Sequence, residues 1–151
     1  MDRPISNRLR ITFLIHSIIS VILGAAMWLI PGRSLALMGW VDEFVRLPGS
    51  ELDIPGQTFV DPLISRLLGS ALLALAFSSY LGWRAKRWEQ VDLLVQQETV
   101  FCVLGVVAFF YVLARSVRPM PPIGWVVMIL LAAFAIAWGA AWWSEGRAAG
   151  K

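Results

Sequence analysis

Four apolar runs, at about 9–30, 63–83, 91–114 and 123–143, constrain this chain more than anything else in it. Each reaches the roughly 20 residues that a helix needs to cross a hydrocarbon core of about 30 Å. A backbone in hydrocarbon has no water to bond, so each run has to close its own hydrogen bonds as a helix. Composition points the same way. Hydrophobic residues make up 58%, charged residues 15% and mean hydropathy is +0.70, whereas soluble domains carry about a quarter charged residues. The runs end at helix-stopping punctuation: Pro31 and Gly32, then Arg84, Lys86 and Arg87, then the segment 115–122 with three prolines. The expected fold is therefore all-α, an integral membrane four-helix bundle forming a single transmembrane domain over 1–151.

The first run is too long for a secretory signal, whose apolar stretch is about 7–15 residues, and it ends in Trp-Leu-Ile-Pro rather than at a small-residue cleavage site. Arg3, Arg8, Arg10, Arg84, Lys86, Arg87, Arg147 and Lys151 fall on one side, against Arg33, Arg46, Arg66, Arg115 and Arg118 on the other. Positive flanks stay inside, so a multi-pass protein of the cell inner membrane with both termini cytoplasmic is expected. The net charge of +3 is spread as punctuation between runs, which argues against nucleic acid as a partner. Membrane lipids are the expected partners, with Arg84, Lys86 and Arg87 in "WRAKRW" meeting their headgroups. Further copies of the chain or other membrane proteins are the other candidates. Cys102 is the single cysteine, so no intrachain disulfide forms.

The external loop, 31–62, repeats Leu37, Met38, Val41, Phe44 and Val45 at helical spacing, which predicts a short interfacial helix with Trp40 near headgroup level. The stretch "LPGSELDIPGQTFVDP" that follows reads as irregular loop capping the outer mouth. Small residues four apart suggest packing seams. These are Thr12, His16, Ser20 and Gly24 in the first run, Ser70, Ala74, Ser78 and Gly82 in the second, and Ala133, Ala137 and Ala141 in the fourth.

The third run carries an interruption, "QQET" at 96–99, with Glu98 about 5 Å inside the cytoplasmic edge at 1.5 Å per residue. One reading is an interface-marking cluster that reaches headgroups. The other rests on His16, the lone histidine, which alternation of the helices places at similar depth. Ser78, Ser79 and Tyr80 at the tail of the second run, Gln97 beside Glu98, and Trp138 and Trp142 on the fourth run arrive at the same height. The candidate ligand or proton site is accordingly His16, Glu98, Tyr80, Ser78, Gln97 and Trp138, a polar pocket open to the cytoplasm. An intramembrane ionisable residue is a functional hypothesis by default, while interhelical packing of His16 is the plainer role. Cys102 lies four residues beyond Glu98 on the same face, but no strong metal-ligand spacing is present. Neither a metal nor another cofactor is expected, and bis-histidine haem would need a second chain.

The segments "IPGRSLALMG" (30–39) and "RLLGSALLALA" (66–76) resemble those of small four-span prokaryotic membrane proteins of uncharacterised function. The resemblance implies the span layout and no activity. No G-x-S-x-G, no H-E-x-x-H, no phosphate-binding glycine loop and no paired carboxylates on one helix occur. The expected function is thus a non-enzymatic accessory or scaffold component of a homo-oligomer or larger membrane complex. The alternatives are a small proton-coupled transporter or lipophilic-ligand binder, and then a membrane enzyme acting on a lipid or quinone.

Overall fold

Two of the long helices begin at a side chain that absorbs unpaired amides of the first turn. Ser6 caps α1 (Asn7–Leu29) by accepting from the Leu9 amide at 3.3 Å. Asp61 caps α3 (Pro62–Arg84), accepting from Leu63 at 2.8 Å and Ile64 at 3.2 Å, with Pro62 pre-set for the first turn. Asp92 opens α4 (Asp92–Arg115) and Arg115 closes it, each complementing the helix dipole. Pro122 opens α5 (Pro122–Ala141), which continues through a π turn, Trp142–Gly146. The chain is seen here as a computed structural model describing residues 4–116 and 119–146; Arg3, Arg118, Arg147 and Lys151, counted above as flanking charges, lie outside the described residues. Four of the helices are long and apolar enough to cross a membrane, and the architecture is an all-α four-helix bundle.

The loop after α1 departs in detail from its expected form. The short helix is present, but it is α2, Pro31–Leu37, and not the apolar stripe 37–45. Pro31 starts it immediately after α1, and Gly39, at φ 76°, ends it. The Gly39 amide bonds Ala36 O and the Trp40 amide bonds Leu35 O, a Schellman closure that needs a left-handed residue. Phe44–Arg46 (β1) then pairs antiparallel with Asp53–Pro55 (β2), with Arg46 opposite Asp53 and their side chains 3.1 Å apart. Pro48 and Gly49, the latter at φ 79°, make the turn between them. The segment expected to be irregular thus holds a strand and a 3-10 turn, Gly56–Phe59. Local turn chemistry outweighed a weak helical period. Trp40 reaches across to the other half of the bundle, its ring 6.2 Å from Phe109 and in contact with Gly124.

The helices associate as two pairs, α1 with α3 and α4 with α5. In the first pair the backbones nearly touch. A Cβ on Gly24 would lie 3.0 Å from Gly69 O, and one on Gly69 would lie 2.8 Å from Gly24 O. The α1 seam is buried at His16, Ser20 and Gly24. On α3, however, Ser70 and Ala74 face outward, and the buried face is Ser65, Gly69, Leu75, Ala76, Ser79 and Gly82. Residues four apart advance about 40° beyond a full turn at each step, so a four-spaced strip winds off the contact line, while spacings near 3.5 stay on it. On α5 Ala133 is exposed and Ala137 and Ala141 are half-buried, and the helix instead turns Trp138, Phe134 and Leu131 inward.

The two pairs meet at the end that holds the start of α1, the tail of α3, the start of α4 and the tail of α5. There Ile5, Leu9, Phe13, Trp88, Val91, Val95, Cys102 and Trp138 form one buried cluster. The Ile5 amide bonds Lys86 O at 3.2 Å, and Arg10 Nε donates to Trp83 O at 3.3 Å, fastening the N-terminal segment to the α3–α4 connection. Because α1 and α3 approach so closely, Gly69→Val forces them apart. Its expected cost is about 1–3 kcal/mol, read as loss of helicity on heating in detergent, whereas Gly139→Ala, whose Cβ meets nothing within 4 Å, leaves the melting point unchanged or raised.

Candidate functional site

Below the aromatic cluster, three polar side chains from three helices close on one another. His16 sits mid-way along the buried face of α1 with 6% of its surface exposed, Ser79 on the inner face of α3 with 0%, and Glu98 one and a half turns into α4 with 1%. His16 Nδ1 and Ser79 Oγ are 2.8 Å apart. The Ser79 hydroxyl donates to Glu98 Oε1 at 3.3 Å. His16 Nε2 lies 3.6 Å from Glu98 Oε2 and 3.5 Å from Ser20 Oγ. Aromatic rings wall the group: Phe134 stands edge-on to the imidazole at 4.8 Å, Trp138 at 5.9 Å, and Phe13 packs on Trp138 at 4.6 Å.

The three side chains form a chain through Ser79 whose two ends, His16 Nε2 and Glu98 Oε2, face each other 3.6 Å apart, so the ring is completed only across a gap in which one proton can be placed on either side. With that proton on Glu98 Oε2, the acid faces the bare Nε2, Nδ1–H donates to Ser79 Oγ, and the hydroxyl donates to Oε1. With the proton on Nε2, the imidazolium and hydroxyl supply three N–H and O–H groups aimed at Ser79 Oγ and both carboxylate oxygens. With one proton between them the group is neutral in either arrangement, which suits a site where an isolated charge would carry a large solvation penalty. Adding a second proton, or removing the one present, sets two donors or two acceptors face to face.

The three side chains link α1, α3 and α4 in an order unlike that of a hydrolytic triad. In a serine hydrolase the imidazole stands between hydroxyl and acid, and the hydroxyl faces the substrate. Here the acid bonds the hydroxyl directly, and Ser79 has no exposed surface, so no carbonyl reaches its oxygen unless the helices part. Cys102, fully buried one turn beyond Glu98, packs in the apolar cluster. Among the described residues, no group of three or more His, Cys, Asp or Glu side chains is placed to hold a metal ion. The Trp138 indole N–H and Glu98 Oε2 are buried without a hydrogen-bond partner; the latter is the oxygen that faces Nε2.

Of the six candidates read from the sequence, His16, Glu98 and Trp138 come together. Ser78 does not join them. It turns back to Ala74 O of its own helix at 3.1 Å. Tyr80 is 40% exposed, its ring tilted against that of Trp83 and under the Arg84 guanidinium at 5.8 Å. Gln97 is exposed. The residues that sequence reasoning left out of the set are Ser79, Ser20, Phe13 and Phe134. Ser79 carried a usable signal, since it falls ten residues after Gly69 and three after Ala76, on the 3.5-residue line that α3 presents to α1. Arg84, Lys86 and Arg87 are exposed together at the end of α3 and along the link to α4.

No protein-family model, no curated protein and no solved structure matches this chain.

The ring geometry makes the two obvious substitutions diverge. Glu98→Gln keeps an oxygen for Ser79 and an N–H for Nε2, so its expected change in stability is under about 1 kcal/mol. Glu98→Ala strands both partners and opens a void, with an expected loss of about 2–4 kcal/mol. Unfolding of the detergent-solubilised protein followed by circular dichroism checks both, and equal losses for the two variants would contradict the ring.

Proposed function

We propose that this four-helix membrane protein is a non-enzymatic accessory or scaffold component of a homo-oligomer or a larger membrane complex. The observation that carries the reading is how the polar groups are used. The buried acid, imidazole and hydroxyl are spent on one another across α1, α3 and α4, leaving none aimed at a substrate. A second observation supports it. The apolar windows of α4 and α5 are each only 11% buried within the chain, against 33% and 28% for α1 and α3. The α4–α5 pair therefore offers a broad apolar surface, with Val103, Leu104, Val107, Phe110, Val126 and Ile129 all exposed, to neighbours in the bilayer. We further propose a cell inner membrane location with both termini cytoplasmic, supported by Arg8, Arg10, Arg84, Lys86 and Arg87 gathering at one end of the bundle. Membrane lipids bind at that rim, with anionic headgroups against Arg84, Lys86 and Arg87.

Native mass measurement in mild detergent tests the scaffold reading. The expected result is an assembly of several 16.8 kDa chains, or a complex with another membrane protein; a clean monomer that retains no protein would remove it.

The shared proton of the ring favours a second reading, a small proton-coupled carrier or lipophilic-ligand binder in which His16 and Glu98 exchange that proton while Trp138 lines the path. On that reading His16→Ala and Glu98→Gln both abolish proton-coupled uptake into proteoliposomes. Uptake that persists in both variants counts decisively against it.

A further inference from the structure

The buried ring leaves one conspicuous feature of the same end of the bundle unused. Between the first turns of α4 and the tail of α5 lies a groove of about 570 Å³, lined by Trp88, Asp92, Gln96, Gly139, Trp142 and Trp143. Trp88 and Trp142 converge around Gly146, where a Cβ would lie 3.4 Å from Trp142 Cδ1 and 3.9 Å from Trp88 Cζ2. Trp88 is buried and held by the core cluster, whereas Trp142 and Trp143 are 43% and 63% exposed. The floor is open at Gly139, since a Cβ there would meet nothing within 4 Å. Among the described residues its single ionisable lining residue is Asp92, half-buried, whose Oδ1 accepts from Gln96 Nε2 at 3.0 Å. Among the described residues, no Lys or Arg lies within ion-pair distance of the Asp92 carboxylate.

We infer that this groove binds the alkylammonium headgroup of a zwitterionic phospholipid. Two exposed indoles, Trp142 and Trp143, lining one groove with a carboxylate and backed by the buried Trp88 suit a cation. The ring faces carry negative electrostatic potential and attract ammonium groups, most strongly when water is excluded. Asp92 supplies the formal countercharge, and the same carboxylate repels an anionic headgroup. The groove also lies where α4 and α5 leave their apolar runs, the level at which headgroups and boundary tryptophans meet. It is chemically opposite to the exposed basic rim of Arg84, Lys86 and Arg87, so the two sites sort lipids by charge at one end of the molecule. The inference does not depend on whether the chain is a scaffold or a carrier.

The test is native mass spectrometry of the full chain in mild detergent with an equimolar mixture of phosphatidylethanolamine, phosphatidylcholine and phosphatidylglycerol of matched acyl chains. Retained phosphatidylethanolamine and phosphatidylcholine are expected to exceed phosphatidylglycerol by about fivefold or more. Asp92→Asn, which keeps the bond from Gln96, and Gly139→Leu, which fills the open floor, each bring the ratio close to one. Arg84→Gln with Lys86→Gln instead lowers phosphatidylglycerol retention and raises the ratio. Equal retention of the three lipids by the unaltered protein, or an unchanged ratio in folded Asp92→Asn and Gly139→Leu, would overturn the inference.

Discussion

A carboxylate, an imidazole and a hydroxyl inside an apolar bundle cannot look to water for hydrogen bonds, and leaving any of them unpaired costs about 1–3 kcal/mol or more. In this protein Ser79 hydrogen-bonds both His16 and Glu98, and the remaining ends, Nε2 and Oε2, face each other at 3.6 Å. Because His16, Ser79 and Glu98 belong to α1, α3 and α4, these contacts join the α1–α3 pair to α4. The rest of the architecture is arranged around that requirement. Apolar side chains give little specificity where the surroundings are as apolar as they are. The polar ring fixes which helix faces meet and at what height.

The remaining contacts divide the work. Gly24 and Gly69 let α1 and α3 approach until backbone meets backbone, and Ser17 adds a bond to Ala76 O at 2.9 Å across the same face. Phe13 lies over Gly82, where a Cβ would fall 2.5 Å from its ring, and then carries Trp138 of α5 on its other side. That stack, with Trp88 and Val95 beside it, seals the ring at one end of the bundle. Toward the opposite end the two pairs are bridged by Trp40 of the loop, set against Phe109 and Gly124. The molecule is thus tightly closed at the end bearing the ring and broadly apolar along the outer surfaces of α4 and α5.

Much of this was legible in the amino-acid sequence, because a run of about 20 apolar residues has few structural solutions. The four helices lie close to the positions read for them, differing by a few residues at their ends. Positions within a helix were harder. The four-residue strip on α3 named Ser70, Ala74, Ser78 and Gly82 as the seam; Gly82 lies on the contact, but the rest of it follows Gly69, Ala76 and Ser79. A neighbouring serine is rotated by about 100°, enough to exchange a buried hydroxyl for one that bonds its own backbone. The loop holds its expected short helix, at Pro31–Leu37, but differs beyond it for another reason. The apolar residues at 37–45 are compatible with a helical stripe, but the left-handed glycines at 39 and 49 and the Arg46–Asp53 pair commit the segment to a turn and a hairpin.

By itself, then, the sequence determined the number of helices, their lengths and their apolar character, since these follow from local composition and the solvation of the backbone. It also placed an acid and the lone histidine at similar depth, because alternating helices of equal length return the chain to the same level. Only the tertiary structure decided that Ser79 stands between them, that Tyr80 and Gln97 face away, and that Trp88, Trp142 and Trp143 line one groove with Asp92. Those outcomes depend on the rotation of each helix about its own axis. That rotation is set by close packing between helices distant in sequence, and local spacing does not encode it.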